Sequence, residues 1–316
     1  MSDKRQAKKP KGIRIDGWLA LDKPQGITST QALNRVKKVL TPRKVGHGGT
    51  LDPMASGLLP IAMGEATKTV AYTMEGTKTY RFTVRWGQAT DTDDADGNVT
   101  ADSEVRPDAE AIAAALPGFT GTFLQTPPAY SAVKVQGQRA YDIARDGGTP
   151  ELAPREARVD TFDLLRVDDA DHATFECTCG KGVYIRALAR DLGRLLGTYG
   201  HLSALRRTRV GGFQEQHMIS LETLEALGHS PGAFEHVLPV ETALDDIPAL
   251  ALTDTEVNRL RSGQSVSLLK RSNLERLRDL ENGEVTIKEM ESGDQTTAPV
   301  DAFPGERERP TYDDFV

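Results

Sequence analysis

The spacing of apolar residues predicts strands at several places along this chain. Residues 79–87, TYRFTVRWG, alternate strictly between apolar and polar side chains, which is typical of a half-buried strand. The apolar run 58–63 and the alternation over 158–167 predict two further strands, and strand character is also expected over 126–135. On the strand over 79–87 we expect Tyr80 to lie near the loops, and we expect the core to receive Phe82, Val84 and Trp86.

Apolar residues at helical spacing predict two amphipathic helices. The first follows an N-cap at Thr28 or Ser29, and the second has Tyr184 and Arg186 in or near its first turn. The apolar face of the first helix consists of Ala32, Leu33, Val36, Val39 and Leu40. The apolar stripe of the second consists of Ile185, Leu188, Leu192, Leu195 and Leu196. Shorter helical stretches are predicted over 65–74, 107–117 and 140–145.

Arg186 and the acidic stretch 91–97 both raise a question of charge. An arginine near a helix N-terminus opposes the helix dipole, so Arg186 is either an ordinary exposed residue or the partner of an anion. The stretch 91–97, DTDDADG, lacks the ligand spacing of a calcium loop, and we interpret it as an acidic turn. Cys177 and Cys179 point to the same face of a strand and are expected to be small core residues rather than metal ligands.

Composition and charge describe an ordinary soluble protein with an uneven charge distribution. Hydrophobic residues make up 38% and charged residues 27%, and the net charge is −7. Residues 1–80 carry +8 and residues 176–210 carry +5, whereas 81–175 carry −8 and 211–316 carry −12. If the two basic segments fold together, they form a positive face that could bind a polyanion. Basic residues scattered over a solvated surface are the alternative.

Changes in composition suggest four regions. Residues 1–12 read as a basic disordered tail, 13–244 as the main domain, 245–297 as a small C-terminal domain, and 298–316 as an acidic Pro/Glu-rich tail. No apolar run approaches the ~20 residues of a membrane span, and no signal sequence opens the chain. We therefore expect a cytoplasmic protein.

The stretch 44–60, KVGHGGTLDPMASGLLP, contains the residue of greatest chemical interest. Its only acid, Asp52, follows a glycine pair that allows close approach of a large partner, and Pro53 places it on a stiff turn. A capping aspartate on a surface turn is the structural alternative.

Five stretches together resemble the bacterial TruB-type tRNA pseudouridine-55 synthases. They are GWLALDKPQGITS, VGHGGTLDPMASGLLPIAMGEATK, KTYRFTVRWGQATDTDDADG, PPAYSAVKVQGQRAYDIARDG and CGKGVYIRALARDLG, in this order between about residues 17 and 212. The resemblance implies an α+β pseudouridine synthase fold with a mixed, mainly antiparallel central sheet flanked by helices, plus a small C-terminal PUA-like domain. It further implies a monomer that acts on the T arm of tRNA without cofactor, metal or obligatory protein partner.

The resemblance also assigns roles to individual residues. Asp52 would be the catalytic aspartate, Arg186 would pair with it, and Tyr80 would stack on the flipped base. His47 would press into the T loop, and the remaining positions would line the base pocket (Tyr184, Leu205) or support the site from the first strand (Lys23). An ionised carboxylate could attack C1′ of the sugar or C6 of the ring, or remove the 2′ proton, and all three reactions remain open.

The sequence departs from the family pattern in two places. Gly48 stands where the family often has Thr, so we expect a looser loop. The stretch 252–268 resembles the start of a PUA-like module, yet 271–279 reads as helix, which suggests a reduced or modified module. Two other functions are considered: a tRNA-binding folding factor with secondary catalysis, and the same chemistry on ribosomal or guide-directed RNA.

Overall fold

A computed structural model describes residues 12–135, 137–245, 247, 252–265, 284–288 and 295–299. The chain divides into two compact units, Met1–Ile247 and Pro248–Val316. The predicted basic tail falls outside the described residues apart from Gly12, as does the predicted helix over 271–279.

The described residues of the first unit contain fifteen strands. They are β1 (Gly17–Lys23), β2 (Val45–His47), β3 (Ser56–Met63), β4 (Lys78–Trp86), β5 (Gln88–Thr90), β6 (Val99–Asp102), β7 (Gly121–Gln125), β8 (Lys134–Val135), β9 (Gln138–Arg139), β10 (Arg155–Val167), β11 (His172–Cys179), β12 (Gly200–Val210), β13 (Phe213–Gln214), β14 (Ile219–Ser220) and β15 (Val237–Leu238). The strands predicted over 58–63, 79–87 and 158–167 are therefore present as β3, β4 and β10.

Seven α-helices lie in the same part of the chain. They are α1 (Ser29–Leu40), α2 (Val70–Glu75), α3 (Ala109–Ala115), α4 (Ala140–Arg145), α5 (Ile185–Leu195), α6 (Leu221–Leu227) and α7 (Pro231–Phe234). Short 3-10 segments accompany them at Gly64–Lys68, Leu116–Phe119, Glu215–His217 and Val240–Leu244. Thr28 caps α1 in a capping box with Gln31, as predicted.

Eleven strands of the described residues form one sheet. Its order is β14-β1-β3-β12-β4-β11-β10-β7, with β15 beside β1, β2 beside β3 and β13 beside β12. Only the β1–β14 and β3–β12 pairs are parallel, so the predicted mixed, mainly antiparallel sheet is confirmed. Strand β12 thus lies between β3 and β4, and this brings the two basic segments of the sequence together.

Hydrophobic cores cover both faces of the sheet around β1. Leu19 and Leu21 pack into the larger core with residues of α1, α3, α5 and α6, whereas Trp18 and Ala20 pack into a smaller core on the opposite face. A strand that is buried on both faces reads as a continuous apolar run, which explains WLAL. Cys177 and Cys179 lie in the larger core, as predicted from their strand spacing.

Two local predictions were wrong. The strand expected over 126–135 is present only as β8, because Pro127 and Pro128 have no backbone N–H to donate to a sheet. Leu195 is 61% exposed and does not belong to the apolar stripe of α5, where Ala189 is buried instead. The other predicted members of the stripe are in the larger core or, for Leu196, packed against it, so only Leu195 was assigned wrongly.

The described residues of the second unit contain one helix, α8 (Asp254–Arg261), and one antiparallel strand pair, β16 (Glu284–Lys288) and β17 (Gln295–Pro299). Strand β17 includes the first two residues assigned to the acidic tail, and the rest of that tail lies outside the described residues. The PUA-like character of this unit stays a prediction. Across the described residues, no helix combines the length and apolarity needed to cross a membrane.

Candidate active site

Asp52 lies in the loop between β2 and β3, and several elements fix that loop. Ser29, at the start of α1, accepts a hydrogen bond from Leu51 N (2.8 Å) and donates one to Leu51 O (3.0 Å). Gly26 N donates to Pro53 O (2.8 Å), so the turn after β1 also holds the loop. The Asp52 side chain remains 39% exposed, which leaves the carboxylate accessible to a ligand.

The guanidinium of Arg186 is the direct partner of Asp52. Its Nη2 lies 3.0 Å from Asp52 Oδ2, and the side chain is only 7% exposed. It also donates to the carbonyl oxygens of Thr92 (2.9 Å) and Tyr130 (2.8 Å). Arg186 and Asp52 are thus paired, as the resemblance implied. Of the two interpretations of Arg186, the one with an anionic partner applies, and that partner is a carboxylate.

A second carboxylate, Asp94, lies behind Arg186. Its Oδ2 is 3.5 Å from Arg186 Nη1, and its Oδ1 accepts hydrogen bonds from Thr92 Oγ1 (2.6 Å) and Asp96 N (3.1 Å). Burial raises the pKa of Asp94, and the Thr92 hydroxyl and Arg186 oppose that rise. The stretch 91–97 is therefore more than an acidic turn, because it anchors the arginine that meets Asp52.

The neighbouring Asp93 holds the same helix one turn further along. It adopts a positive φ of 60° and accepts a hydrogen bond from Arg190 Nη1 at 3.0 Å. Burial raises the pKa of Asp93 as well, and Arg190 opposes the rise. Sequence reasoning missed both acids. A signal was present in the sequence: two adjacent acids in one segment and two arginines on one face of a helix, at i and i+4, in another. These residues are Asp93 and Asp94, and Arg186 and Arg190.

Tyr184 is the N-cap of α5 and is held by its backbone. Gln125 accepts from Tyr184 N (2.9 Å) and donates to Tyr184 O (3.2 Å), so one side-chain amide satisfies both groups. Burial raises the pKa of the Tyr184 phenol. Gln125 is a further residue that sequence reasoning missed, since its partner is 59 residues away in the chain.

Tyr80 and Leu205 lie on the sheet, on neighbouring strands. Tyr80 is half-buried on β4 and packs against the larger core, and burial raises the pKa of its phenol. Leu205 on β12 is 6% exposed and lies opposite Phe82 in the strand register. Phe82, Val84 and Trp86 are core residues, as predicted, and Tyr80 is the partly exposed exception.

Lys23 and His47 flank the loop without contacting Asp52 through a hydrogen bond. Lys23 is fully buried, and its Nζ donates to Pro24 O (2.8 Å) and Ile27 O (2.9 Å); burial lowers the pKa of this amine to about 8. His47 lies opposite Ile61 in the β2–β3 pair. Burial, and then the charge of Arg207, lower the pKa of His47.

Gly48 is tightly packed, which corrects the expectation of a looser loop. A Cβ atom at this position would lie 2.6 Å from Thr73 Cγ2 and 3.4 Å from the Trp18 ring. Gly48 N donates to Pro60 O at 2.8 Å. The methyl of Thr73 therefore occupies the space that a side chain at position 48 would need.

The predicted positive face is only partly formed. Within the described residues, the basic side chains of 176–210 are used internally: Lys181, Arg186, Arg190, Arg194 and Arg206 form ion pairs, and Arg207 and Arg209 donate to backbone carbonyls. Among described residues 12–80, which belong to the first basic segment, the exposed basic side chains without a salt bridge to another described residue are Lys37, Lys38, Arg43 and Lys44.

Comparison with known proteins places this geometry in a family. Residues 37–185 match the TruB family pseudouridylate synthase (N terminal domain), and residues 186–245 match the tRNA pseudouridylate synthase B C-terminal domain. The solved structure of a Cbf5-Nop10-Gar1 complex is similar with a TM-score of 0.63 and 27% identity, covering 83% of this chain and 75% of that chain. The fold is therefore that of the pseudouridine synthases.

Curated relatives extend the match over most of the chain. The tRNA pseudouridine synthase B of Bradyrhizobium diazoefficiens is 58% identical over 259 residues, which cover 80% of this chain and 75% of the relative. That of Caulobacter vibrioides is 53% identical over 295 residues, covering 92% of this chain and 94% of the relative. The chain belongs to the TruB family of pseudouridylate synthases.

Proposed function

We propose that this chain isomerises uridine-55 in the T loop of tRNA to pseudouridine, with Asp52 as the catalytic carboxylate. The observation that carries the proposal is the accessible Asp52 carboxylate, 3.0 Å from the buried guanidinium of Arg186. The relatives described above are named tRNA pseudouridine synthase B, which supports tRNA as the substrate.

The reaction breaks the bond between N1 and C1′ and forms one between C5 and C1′. The hydrogen on C5 leaves to solvent, and N1 gains a proton. During this exchange the base must be detached, rotated and retained. A carboxylate whose direction is fixed by an arginine suits each of the three open reactions: attack on C1′, attack on C6, or removal of the 2′ proton.

The surrounding residues supply what the exchange requires. Tyr80 offers a partly exposed ring beside the core on which the flipped base stacks. Tyr184 and Leu205 line the base pocket, and Lys23 supports the turn that binds the loop. His47 presses into the T loop where the target base leaves. Flipping the base out of the loop costs a few kcal/mol, which stacking and phosphate contacts offset.

The exposed basic residues that precede His47 suit the phosphates of the T arm. Lys37, Lys38, Arg43 and Lys44 lie in the exposed part of α1 and the turn leading into β2. Phosphate contacts release counterions, so affinity for tRNA should fall steeply with salt. The proposal further includes a cytoplasmic, monomeric enzyme without an obligatory protein partner; sedimentation of the purified chain with and without tRNA tests the monomer.

Release of tritium from tRNA that contains 5-tritiated uridine tests the proposed function. We expect release by the wild type and a loss of at least roughly 10³-fold in Asp52→Asn, since acid–base and nucleophilic groups contribute on this scale. Asn has nearly the same size, so tRNA binding should persist. Full release by Asp52→Asn, or none by the wild type, contradicts the proposal. Loss of binding in Asp52→Asn would contradict the separate role as a tRNA folding factor.

A further inference from the structure

Arg207 binds both ends of the loop that carries Asp52. This β12 residue is 2% exposed, and its Nε donates to Leu58 O at 2.8 Å. Its Nη1 and Nη2 donate to the carbonyl oxygens of Thr50 (3.3 Å) and Gly49 (3.2 Å). Two of the three acceptors precede Asp52 and the third follows it. A single planar guanidinium therefore connects the two ends of the loop.

The backbone of Arg207 holds the same loop. Arg207 is paired with Gly57 in the β3–β12 register. Gly57 has a φ of +96°, and a Cβ there would lie 2.3 Å from Arg207 O. Side chain and main chain together therefore constrain the loop at Gly49, Thr50, Gly57 and Leu58.

Stability alone does not explain a charged residue at this position. Within the described residues, no carboxylate comes within 4.0 Å of the Arg207 guanidinium, whereas Arg206 beside it forms two 2.9 Å contacts with Asp22. Removing a cation from water is costly, and neutral carbonyls offset that cost less well than a carboxylate does. A well-packed apolar residue would often be as stable or more so.

The charge of Arg207 also reaches the other residues of the site. It faces Tyr80 across the β4–β12 pair. After burial, it is the cause that lowers the pKa of His47, and it adds to the lowering at Lys23. At Tyr80 it opposes the rise in pKa that burial causes. Arg207 is thus a cation that acts on three of the residues placed around Asp52, namely Lys23, His47 and Tyr80.

We propose that Arg207 is a positioning residue that fixes the backbone on both sides of Asp52 for reaction, without itself touching the substrate. The inference rests on the proposed function. A displacement of about 1 Å at a reacting group can cost roughly 10²-fold in rate. Loss of the Arg207 contacts should therefore lower the rate of the chemical step and leave tRNA affinity nearly unchanged, because no RNA contact is removed.

The test compares Arg207→Lys and Arg207→Met with Arg206→Lys, a control on the same strand whose ion pairs lie away from the loop. We expect single-turnover tritium release to fall roughly 10–100-fold in both Arg207 variants. The tRNA affinity measured by filter binding should change less than threefold, and Arg206→Lys should react like the wild type. Hydrogen exchange of peptides covering 45–60 should speed up in the Arg207 variants only.

A readout independent of activity separates positioning from a general folding defect. The pKa of His47, followed by NMR, should rise in Arg207→Met, because a positive charge is removed, and stay near the wild-type value in Arg207→Lys. If Arg207→Met does not fold, the proposal is tested by the single-turnover rate of Arg207→Lys and by hydrogen exchange in its loop. A folded Arg207 variant with wild-type rate and wild-type loop exchange overturns the proposal. If the wild type releases no tritium, the proposed function fails, while loop exchange and the His47 titration still test the positioning.

Discussion

The two sides of the candidate active site hold buried cations in opposite ways. On the helix side, Arg186 lies between two carboxylates, 3.0 Å from Asp52 and 3.5 Å from Asp94. On the sheet side, Lys23, Arg207 and Lys78, the first residue of β4, have no carboxylate within 4.0 Å among the described residues and donate to backbone carbonyls. Arg207 also interacts with the Tyr80 side chain. Burial lowers the pKa of Lys78 to about 8, as it does for Lys23.

This difference indicates that the cations on the two sides have different roles. A guanidinium that meets carboxylates orients a charged side chain and is itself neutralised by it. A cation that meets carbonyls but no carboxylate fixes the main chain without being neutralised by an anion, at the cost of desolvation. The helix side therefore controls the direction of Asp52, and the sheet side controls where the loop places it.

Replacement of Arg186 should give the largest effect. Arg186→Met leaves the buried Asp94 without its cation, which should lower the free energy of unfolding by about 3 kcal/mol. We expect single-turnover tritium release to fall roughly 10²–10³-fold, as when one oriented donor is removed from an active site. Arg186→Lys keeps the charge but lacks the planar guanidinium, so its rate should lie between those of the wild type and Arg186→Met. If Arg186→Met altered loop hydrogen exchange as Arg207→Met does, the distinction between the two sides would be lost.

Asp94→Asn should have a smaller effect on the same side. Asn keeps the size of the residue but removes the charge 3.5 Å from Arg186 Nη1. We expect roughly a tenfold fall in single-turnover rate, equivalent to about 1.4 kcal/mol. Because both residues act through one network, the effects of Asp94→Asn and Arg186→Lys should not add in the double variant. Additive effects, or an unchanged rate in Asp94→Asn, would show that Asp94 does not help to orient Arg186.

Lys78 allows a measurement of the desolvation cost on the sheet side. Below pH about 8 the amine is charged in both states, whereas between about 8 and 10.5 the folded state has lost its proton and the unfolded state keeps it. Folding then releases a proton, so wild-type stability should rise with pH across this window. Relative to Lys78→Met, the gain should approach roughly 3 kcal/mol by pH 10.5. Urea unfolding of both proteins at pH 7.5 and 9.5 measures it, and a pH-independent difference would contradict the carbonyl-held cation.

The sequence predicted much of this fold because local patterns carry it. The alternation around Phe82 and the capping of α1 by Thr28 need no knowledge of distant contacts, and both were confirmed. At Arg186, the unfavourable helix dipole left two interpretations, an exposed residue or the partner of an anion, and the second is observed. Asp94, Gln125 and Arg207 were missed because each acts on a partner far away in the chain. The one signal, the match of Asp93 and Asp94 with Arg186 and Arg190, appears only when two distant segments are compared.

The most direct test of the central claim is to map the modified base. Unmodified tRNA transcript is incubated with the wild type or Asp52→Asn, treated with a carbodiimide that marks pseudouridine, and read by primer extension. We expect a single stop one nucleotide 3′ of position 55, which reports pseudouridine at 55, with the wild type and none with Asp52→Asn. A wild-type stop at another position, no stop at all, or an equal stop with Asp52→Asn would contradict an aspartate-dependent isomerisation of uridine-55.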